Sequence, residues 1–229
     1  MIYNRAFGFN LPTNPNRLRS LSVFVIGNND DDKKYIRTSN CIAAAPETAD
    51  FVLARGTFGF LTDLDDATDG GVISYKRAED LMLAVEPWLD RCIVRGIPML
   101  VSNPDFYRPG SGSPMPGLIG KMYSEKGGVV QYIGKPHRVV YDACFKVLSE
   151  NDKIKVDKMR TCGVGDSLDH DILGARQAGI DSVWTANGVH CTEMGCTEES
   201  SELASTNVLN EMYRKYGVSP THTVPKFRW

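Results

Sequence analysis

The sequence lacks an excess of charge of one sign and lacks a long apolar run. Its 26 Lys and Arg against 28 Asp and Glu leave a formal net charge of −2 over 229 residues. Because the basic residues are scattered, nucleic acid and anionic membranes are not expected as partners. No apolar stretch approaches the roughly 20 residues that span a bilayer, and the opening MIYNRAFGFNLPTN has no signal pattern. We therefore expect a cytoplasmic globular protein.

No C-x-x-C pair occurs among the six cysteines, and three of them lie inside apolar runs, as reduced core thiols do. Disulfides are therefore not expected. His190, Cys191 and Cys196 lie close together in the sequence, but their spacing is not that of a zinc site and a fourth ligand is not apparent. We interpret this stretch as a polar surface loop.

What is present is an alternation of apolar β-rich runs with segments of helical spacing. We predict an irregular segment over 1–21 and a punctuated loop over 106–120. The predicted strands are 22–26, 50–54, 97–101, 129–133, 159–164 and 181–185. The predicted helices are 76–95, which Pro87 delays or kinks, 136–150 with an apolar face, and 169–178, which Gly179 ends. This order predicts a mostly parallel sheet with helices on both faces.

Polar residues follow three of the predicted strands, where ligands of such sheets bind. Asp166 comes directly after strand 159–164, and Asp171 lies in the first turn of the next helix. Two carboxylates beside a helix N-terminus suit Mg²⁺, which prefers oxygen ligands and usually keeps waters and a phosphate oxygen. The alternative is a turn acid and a helix cap that hold no metal.

Lys135 lies between the end of strand 129–133 and a helix that begins with proline, where its ammonium could approach a phosphate or separate two carboxylates. Asn103 and Asp105 follow strand 97–101 in the stretch SNPD. The alternative for Lys135 is a solvated surface lysine, and for Asn103 and Asp105 it is a pair of turn residues. The order of the three features along successive strands favours a shared site.

That order, SNPD, then GKPH, then GDSLDHDILGARQAGI, resembles the haloacid dehalogenase (HAD) superfamily of hydrolases. More narrowly it is similar to the class IIA subgroup, which includes p-nitrophenylphosphatase-like and nucleotide-phosphatase-like enzymes. The resemblance implies an α/β fold, with a HAD-like Rossmannoid parallel sheet whose core is incomplete and an inserted α/β cap domain. It places a cap-like domain at 22–105 and the C-terminal half of the core at 106–229.

The resemblance implies a Mg²⁺-dependent phosphatase that acts on a small phosphorylated metabolite. Lys135 matches the family's catalytic lysine, Asp166 the acid that binds Mg²⁺ directly, and Asp171 the acid that holds it mainly through water. Asn103, Asp105 and Ser167 are the substrate-binding residues that it implies.

One half of the implied site is missing from the sequence. The family's nucleophile lies in a D-x-D-G-T motif ahead of the cap, and residues 1–21 contain no Asp. We therefore expect a truncated or split phosphatase with activity near background, whose incomplete sheet calls for a partner chain or self-association. A second hypothesis is a non-catalytic protein that binds phosphate and Mg²⁺. A third is an active capless phosphatase that uses Asp63 and Asp65.

Overall fold

A computed structural model describes residues 20–39, 41–62, 71–108, 110–150, 156–197 and 200–227. The irregular segment predicted over 1–21 lies almost wholly outside these residues, and so do Asp63 and Asp65 of the third hypothesis. The chain divides into two compact units, Met1–Ile133 and Gly134–Trp229. Of the helices that the structure describes, none is long and apolar enough to cross a bilayer.

The first unit contains a seven-stranded sheet in the order β5-β4-β1-β3-β6-β7, with β2 also paired to β1. Strands β1, β3, β6 and β7 run parallel, and β2 is parallel to β1. Strand β4 pairs antiparallel with β1, and β5 pairs antiparallel with β4. The strands are β1 (Leu21–Gly27), β2 (Cys41–Ala43), β3 (Phe51–Ala54), β4 (Gly59–Leu61), β5 (Val72–Ser74), β6 (Met99–Val101) and β7 (Val130–Tyr132). Four predicted strands are thereby confirmed.

The helices of the first unit are α1 (Asp30–Thr38), α2 (Ala78–Ala84), α3 (Glu86–Val94) and α4 (Pro116–Glu125). The single helix predicted over 76–95 is two helices that divide at Val85, because Pro87 lies in the first turn of α3. The loop predicted over 106–120 is wrong in its last part. There Pro116 begins α4, which buries Ile119 and Tyr123 against the sheet.

The core of this unit lies on both faces of β1, whose residues 23–26 are fully buried. On one face Phe24 and Ile26 pack with side chains of α2, α3 and α4. On the other face Val23 and Val25 pack with Ile36 of α1. The strand is therefore a continuous apolar run, as expected of a strand that helices cover on both sides.

The second unit contains a three-stranded parallel sheet in the order β10-β9-β8. Its strands are β8 (Cys162–Gly165), β9 (Asp181–Thr185) and β10 (His222–Val224), and its helices are α5 (Arg138–Glu150), α6 (Leu173–Ala178) and α7 (Thr206–Tyr216). Strand β9 and the left-handed Gly179 that ends α6 (φ 73°) are as predicted. Helix α7 and strand β10 were not predicted.

Two tight turns shift the predicted bounds in this unit. Lys158–Arg160 forms a 3-10 turn, with the Asp157 carboxylate accepting the Met159 N–H, so β8 begins only at Cys162. The helix predicted over 169–178 begins as a turn of π-helix, Leu168–Ile172, before α6 follows. The π-turn contains Asp171 and directly follows Asp166 and Ser167, whereas the 3-10 turn lies at the other end of β8.

The division between the units falls later in the chain than the predicted one between 105 and 106. Strand β7 pairs with β6 in register Met99 with Val130, so the chain as far as Ile133 belongs to the first sheet. The names cap and core for the two units remain predictions.

Strand β8 pairs only with β9 among the residues that the structure describes. Its Cys162 is exposed, and Val164 keeps 47% of its surface accessible. Helix α5 has no buried residue, so the apolar face predicted for it is not part of a core, and Val147 is 52% exposed. Among the described residues, β8 therefore has one unpaired edge and α5 buries none of its side chains.

Candidate functional site

Lys135 and Asp171 form an ion pair within the second unit. Nζ of Lys135 lies 2.5 Å from Oδ1 of Asp171. The lysine side chain is 56% exposed, whereas that of Asp171 is 12% exposed. The other carboxylate oxygen, Oδ2, accepts the Ser167 N–H at 3.2 Å. Both oxygens of Asp171 therefore have a partner in the chain itself.

Asp166 lies directly after β8, at the carboxyl end of the small sheet. Its Oδ2 accepts the Val189 N–H at 3.2 Å, and its main-chain oxygen accepts the Trp184 indole N–H at 2.9 Å. Two glycines allow this close packing. A Cβ on Gly188 would lie 2.4 Å from Asp166 Oδ2, and one on Gly165 would lie 2.2 Å from Asp171 Cγ. The two acids therefore lie against glycine backbone.

Ser167 begins the π-turn between the two acids. Its hydroxyl donates to Asp169 Oδ1 at 2.6 Å and accepts the His170 N–H at 3.1 Å. The hydrogen bond with His170, followed by that of Ser167, holds the pKa of Asp169 well below its usual range despite partial burial. Burial and the nearby charge of His170 lower the pKa of His137. The hydroxyl of Ser167 thus serves the turn in this structure.

The carboxylates of Asp166 and Asp171 fit part of the ligand set of a Mg²⁺ site. Among the described residues no three His, Cys, Asp or Glu side chains converge as metal ligands. Mg²⁺ commonly takes only one or two protein carboxylates and completes its shell with waters and phosphate. Within the described part of the chain, Oδ1 of Asp166 accepts no hydrogen bond. Asp166 could therefore bind a cation directly, and Asp171 through water.

Asn103 and Asp105 belong to the first unit, in the turn after β6. Oδ1 of Asn103 accepts the Asp105 N–H at 3.1 Å, and the main-chain oxygen of Asp105 accepts the Gly117 N–H at 2.9 Å. These bonds connect β6 to the start of α4. The predicted site residues that come together within one unit are Lys135, Asp166, Ser167 and Asp171. A substrate contact by Asn103 or Asp105 stays a prediction.

Three further residues of the site, Gly188, Val189 and His190, were not predicted. They follow β9, the strand next to β8, so their position after a neighbouring strand was a signal for them. The two cysteines that follow His190 make hydrogen bonds to main-chain oxygens. The Cys191 and Cys196 thiols each donate to the other's main-chain oxygen, at 3.4 and 3.2 Å.

Known hydrolases are similar to this chain in sequence and in fold. Residues 132–224 match the model of the family described as HAD-hydrolase-like. Over 98 residues the chain is 30% identical to the acid sugar phosphatase of Staphylococcus haemolyticus. The matched segment covers 42% of this chain and 35% of that protein.

Solved structures extend the similarity over most of the chain. The p-nitrophenyl phosphatase from Archaeoglobus fulgidus matches with a TM-score of 0.60 and 19% identity, covering 90% of this chain and 65% of that one. A haloacid dehalogenase-like hydrolase from Brucella suis matches with a TM-score of 0.60 and 22% identity, covering 90% and 66%. The 4-nitrophenylphosphatase from Thermotoga maritima matches with a TM-score of 0.56 and 19% identity, covering 92% and 64%.

The chain thus has a mixed α/β fold with a parallel-rich sheet and a second, small parallel sheet, the fold of phosphatase structures. It is similar in sequence to the HAD-like hydrolases over residues 132–224 and to the acid sugar phosphatase over 98 residues, and it shares the fold of the p-nitrophenyl phosphatases, which agrees with the resemblance that the motifs predicted. It spans just under two thirds of the length of the first of these solved structures and about a third of the acid sugar phosphatase.

Proposed function

We propose that this chain carries the Mg²⁺ and phosphate half of a phosphatase site for small phosphomonoesters. The observation that supports this most is the arrangement of Lys135, Asp166 and Asp171 around one turn at the carboxyl end of β8. A bound Mg²⁺ supplies Lewis-acid polarisation of a phosphoryl oxygen. Asp166 would hold the ion directly. Asp171 would hold it through water, since its own oxygens are already partnered by Lys135 and Ser167.

Lys135 would bind and orient the phosphate. An ammonium group has three N–H donors, and Asp171 takes one of them among the described residues. The other two can donate to phosphate oxygens, in a side chain that is more than half exposed. The positive charge would then stabilise charge that builds on the phosphoryl group.

Turnover by this chain is proposed to lie near background. Attack on phosphorus in such enzymes needs a nucleophilic carboxylate, and no recognisable D-x-D-G-T motif occurs in the sequence. The lack of this motif also favours the second candidate, a protein that binds Mg²⁺ and phosphate without turnover. Contact of Asn103, Asp105 and Ser167 with substrate, and selection of substrate by a cap, are part of the first proposal.

The open edge of β8 supports a further part of the proposal, a chain that completes the small sheet. Val164 is 47% exposed on a strand of a parallel sheet, an element type that is usually buried. An additional strand from a partner chain or a second copy would pair with this edge. Such a strand would also end beside Asp166, where a nucleophile is needed.

The experiment combines Mg²⁺ binding with hydrolysis of p-nitrophenyl phosphate. We expect Mg²⁺ to raise the melting temperature of the wild-type chain, and Asp166→Asn to abolish the rise. Asp181→Asn, at the exposed start of β9, is the matched control and should keep it. An Asp166→Asn variant that still responds to Mg²⁺ contradicts the proposal. Hydrolysis that both Asp63→Asn and Asp166→Asn abolish would instead support the active capless enzyme.

A further inference from the structure

His190 is a buried histidine whose ring contacts the turn that carries the candidate metal ligands. Only 6% of its surface is exposed. Its Nε2 accepts the main-chain N–H of Leu168 at 3.0 Å. A ring nitrogen that accepts a hydrogen bond carries no proton, so the ring is neutral and its proton is on Nδ1. His190 therefore serves this turn as a hydrogen-bond acceptor.

The opposite side of the ring faces Glu193. Nδ1 of His190 lies 3.6 Å from Oε2 of Glu193, which also accepts the Tyr216 hydroxyl at 2.9 Å. Lys215 pairs with the other oxygen of Glu193. Although burial by itself raises the pKa of Glu193, the hydrogen bonds from Lys215 and Tyr216 hold it below its usual value. A carboxylate beside Nδ1 favours the tautomer that leaves Nε2 free to accept.

Two aromatic rings fix the plane of the imidazole. The Tyr216 ring packs edge-on at 4.7 Å between centroids, and the Trp184 ring at 6.1 Å. Trp184 also donates its indole N–H to the main-chain oxygen of Asp166. The ring orientation and the Asp166 backbone are therefore held by the same group of side chains.

The residues just before His190 contact Asp166 itself. The Val189 N–H donates to Oδ2 of Asp166, and Gly188 leaves no room between its Cα and that carboxylate. Segment 188–190 thus contacts the site turn on both sides of Ser167, through Asp166 and through Leu168. Leu168 is fully buried, so its N–H has no access to water if His190 is replaced by an apolar residue.

We propose that His190 is a positioning residue, which holds the Asp166 carboxylate in place for Mg²⁺ by accepting the Leu168 N–H and by fixing the backbone of Val189. This inference rests on the proposed function, since Mg²⁺ at Asp166 is part of it. His190 touches no reacting atom. Its effect passes through the hydrogen bonds of the turn, and what matters is an acceptor at the position of Nε2.

The test compares His190→Gln with His190→Leu in the full chain. The glutamine carbonyl oxygen can stand near the position of Nε2 and accept the Leu168 N–H, whereas leucine cannot. Loss of a hydrogen bond behind a metal ligand typically weakens metal binding about ten- to hundredfold. We expect that loss of Mg²⁺ affinity in His190→Leu, by calorimetric titration with MgCl₂, and an affinity close to wild type in His190→Gln.

Ser182→Ala is the matched control for lost stability. Ser182 is also buried, and its hydroxyl accepts the main-chain N–H of Thr221 at 3.2 Å, near the amino end of β9. The control should keep wild-type Mg²⁺ affinity. A second measurement needs no metal. Hydrogen exchange of residues 166–172 should be faster in His190→Leu than in Ser182→Ala, and slow in His190→Gln.

The outcomes separate the two proposals. If the wild-type chain binds no Mg²⁺, the proposed function fails, and this inference fails with it. If the wild type binds Mg²⁺ and His190→Leu binds it equally well, only the positioning role of His190 is overturned. The same holds if His190→Gln loses as much affinity as His190→Leu, because the acceptor would then be irrelevant.

Discussion

Lys135 and Asp171, 36 residues apart in the sequence, form an ion pair with a 2.5 Å separation between Nζ and Oδ1. The pair connects the start of the second unit to the turn after β8. Its lysine side chain is more than half exposed, so solvent screens the pair and its net contribution to the free energy of unfolding is below about 1 kcal/mol. The pair is therefore better explained by a role in binding than by a role in stability.

This relationship predicts the effect of Lys135→Met. Inorganic phosphate, added in the presence of Mg²⁺, should bind about ten- to hundredfold more weakly, since hydrogen bonds to charged groups contribute about 1.5–3 kcal/mol. The melting temperature should hardly change. Isothermal titration with phosphate measures the first quantity and calorimetric melting the second.

Lys146→Met provides the control for the loss of one positive charge. Lys146 lies on α5 and pairs only loosely with Glu150, at 3.8 Å. Equal loss of phosphate affinity in the two variants would show that net charge, and not the position of Lys135, determines binding.

Gly188→Ala should remove Mg²⁺ binding. The added Cβ would lie 2.3 Å from Cβ of Asp166, so the aspartate must move. At a Mg²⁺ concentration a hundredfold above the dissociation constant, binding stabilises the wild-type chain by about 2.7 kcal/mol. We expect most of this stabilisation to be absent in the variant, as measured by urea unfolding with and without MgCl₂.

Gly195→Ala is the comparison for this variant. Gly195 has φ 71°, and a Cβ there meets no atom within 4 Å, so the substitution strains the backbone without displacing a neighbour. It should cost about 1–2 kcal/mol of stability and leave the Mg²⁺ response intact. A Gly188→Ala variant with an equally intact response would contradict the geometry proposed for Asp166.

The strands that the sequence predicted correctly are those whose local pattern and tertiary role agree. Strands β1 and β9 are β-rich apolar runs bounded by turn residues. Gly179 ends α6 in the left-handed backbone conformation, which glycine adopts without steric cost. Helix α4 was missed because Pro116 and Gly117 were interpreted as loop residues. In the fold Gly117 allows close approach, since a Cβ there would lie 2.0 Å from the Pro104 oxygen.

The site was predictable to the extent that it follows strand ends. Lys135 and Asp171 were predicted to follow successive strands of one sheet. The structure pairs them, but β7 and β8, the strands before them, belong to different sheets. His190 could not be predicted in this way. Its contact with Leu168 depends on the orientation of a ring after β9, which the packing of Trp184 and Tyr216 determines. Such long-range packing leaves no periodic pattern in the sequence.

Val164→Lys should reduce self-association of the chain. Val164 is 47% exposed on β8, which has a partner on one side only among the described residues. A lysine on an edge strand opposes edge-to-edge pairing. Sedimentation velocity over a range of protein concentrations should therefore show less oligomer than in the wild type.

Leu83→Lys tests whether any exposed apolar side chain has the same effect. Leu83 lies on α2 and is 85% exposed, and its substitution makes the same change in charge. If both lysine variants reduce self-association equally, the edge of β8 has no special part in it. If the wild-type chain is monomeric at all concentrations, the edge does not recruit a second copy.

Arg55→Met should destabilise the first unit strongly, and by an amount that depends on pH. Arg55 pairs with Asp32, which is 1% exposed, and its guanidinium lies 4.6 Å over the Tyr35 ring. Breaking a buried pair by removing one partner costs about 3–5 kcal/mol, because an uncompensated charge remains. Urea unfolding near neutral pH measures this loss.

The direction of the pH dependence follows from Asp32. Burial raises the pKa of this carboxyl, and Arg55 partly opposes the rise. An acid with a raised native pKa favours the native state at low pH, and this stabilisation is lost as the pH rises through the native pKa. Without Arg55 the native pKa of Asp32 rises further. The difference in free energy of unfolding between the variant and the wild type should therefore narrow as the pH falls toward 3.8, the ordinary pKa of the carboxyl. The double variant Asp32→Asn, Arg55→Met removes the buried charge and should regain stability near neutral pH. If neither pH nor the second substitution changes the difference in stability from the wild type, the lost contact with Tyr35 causes the destabilisation.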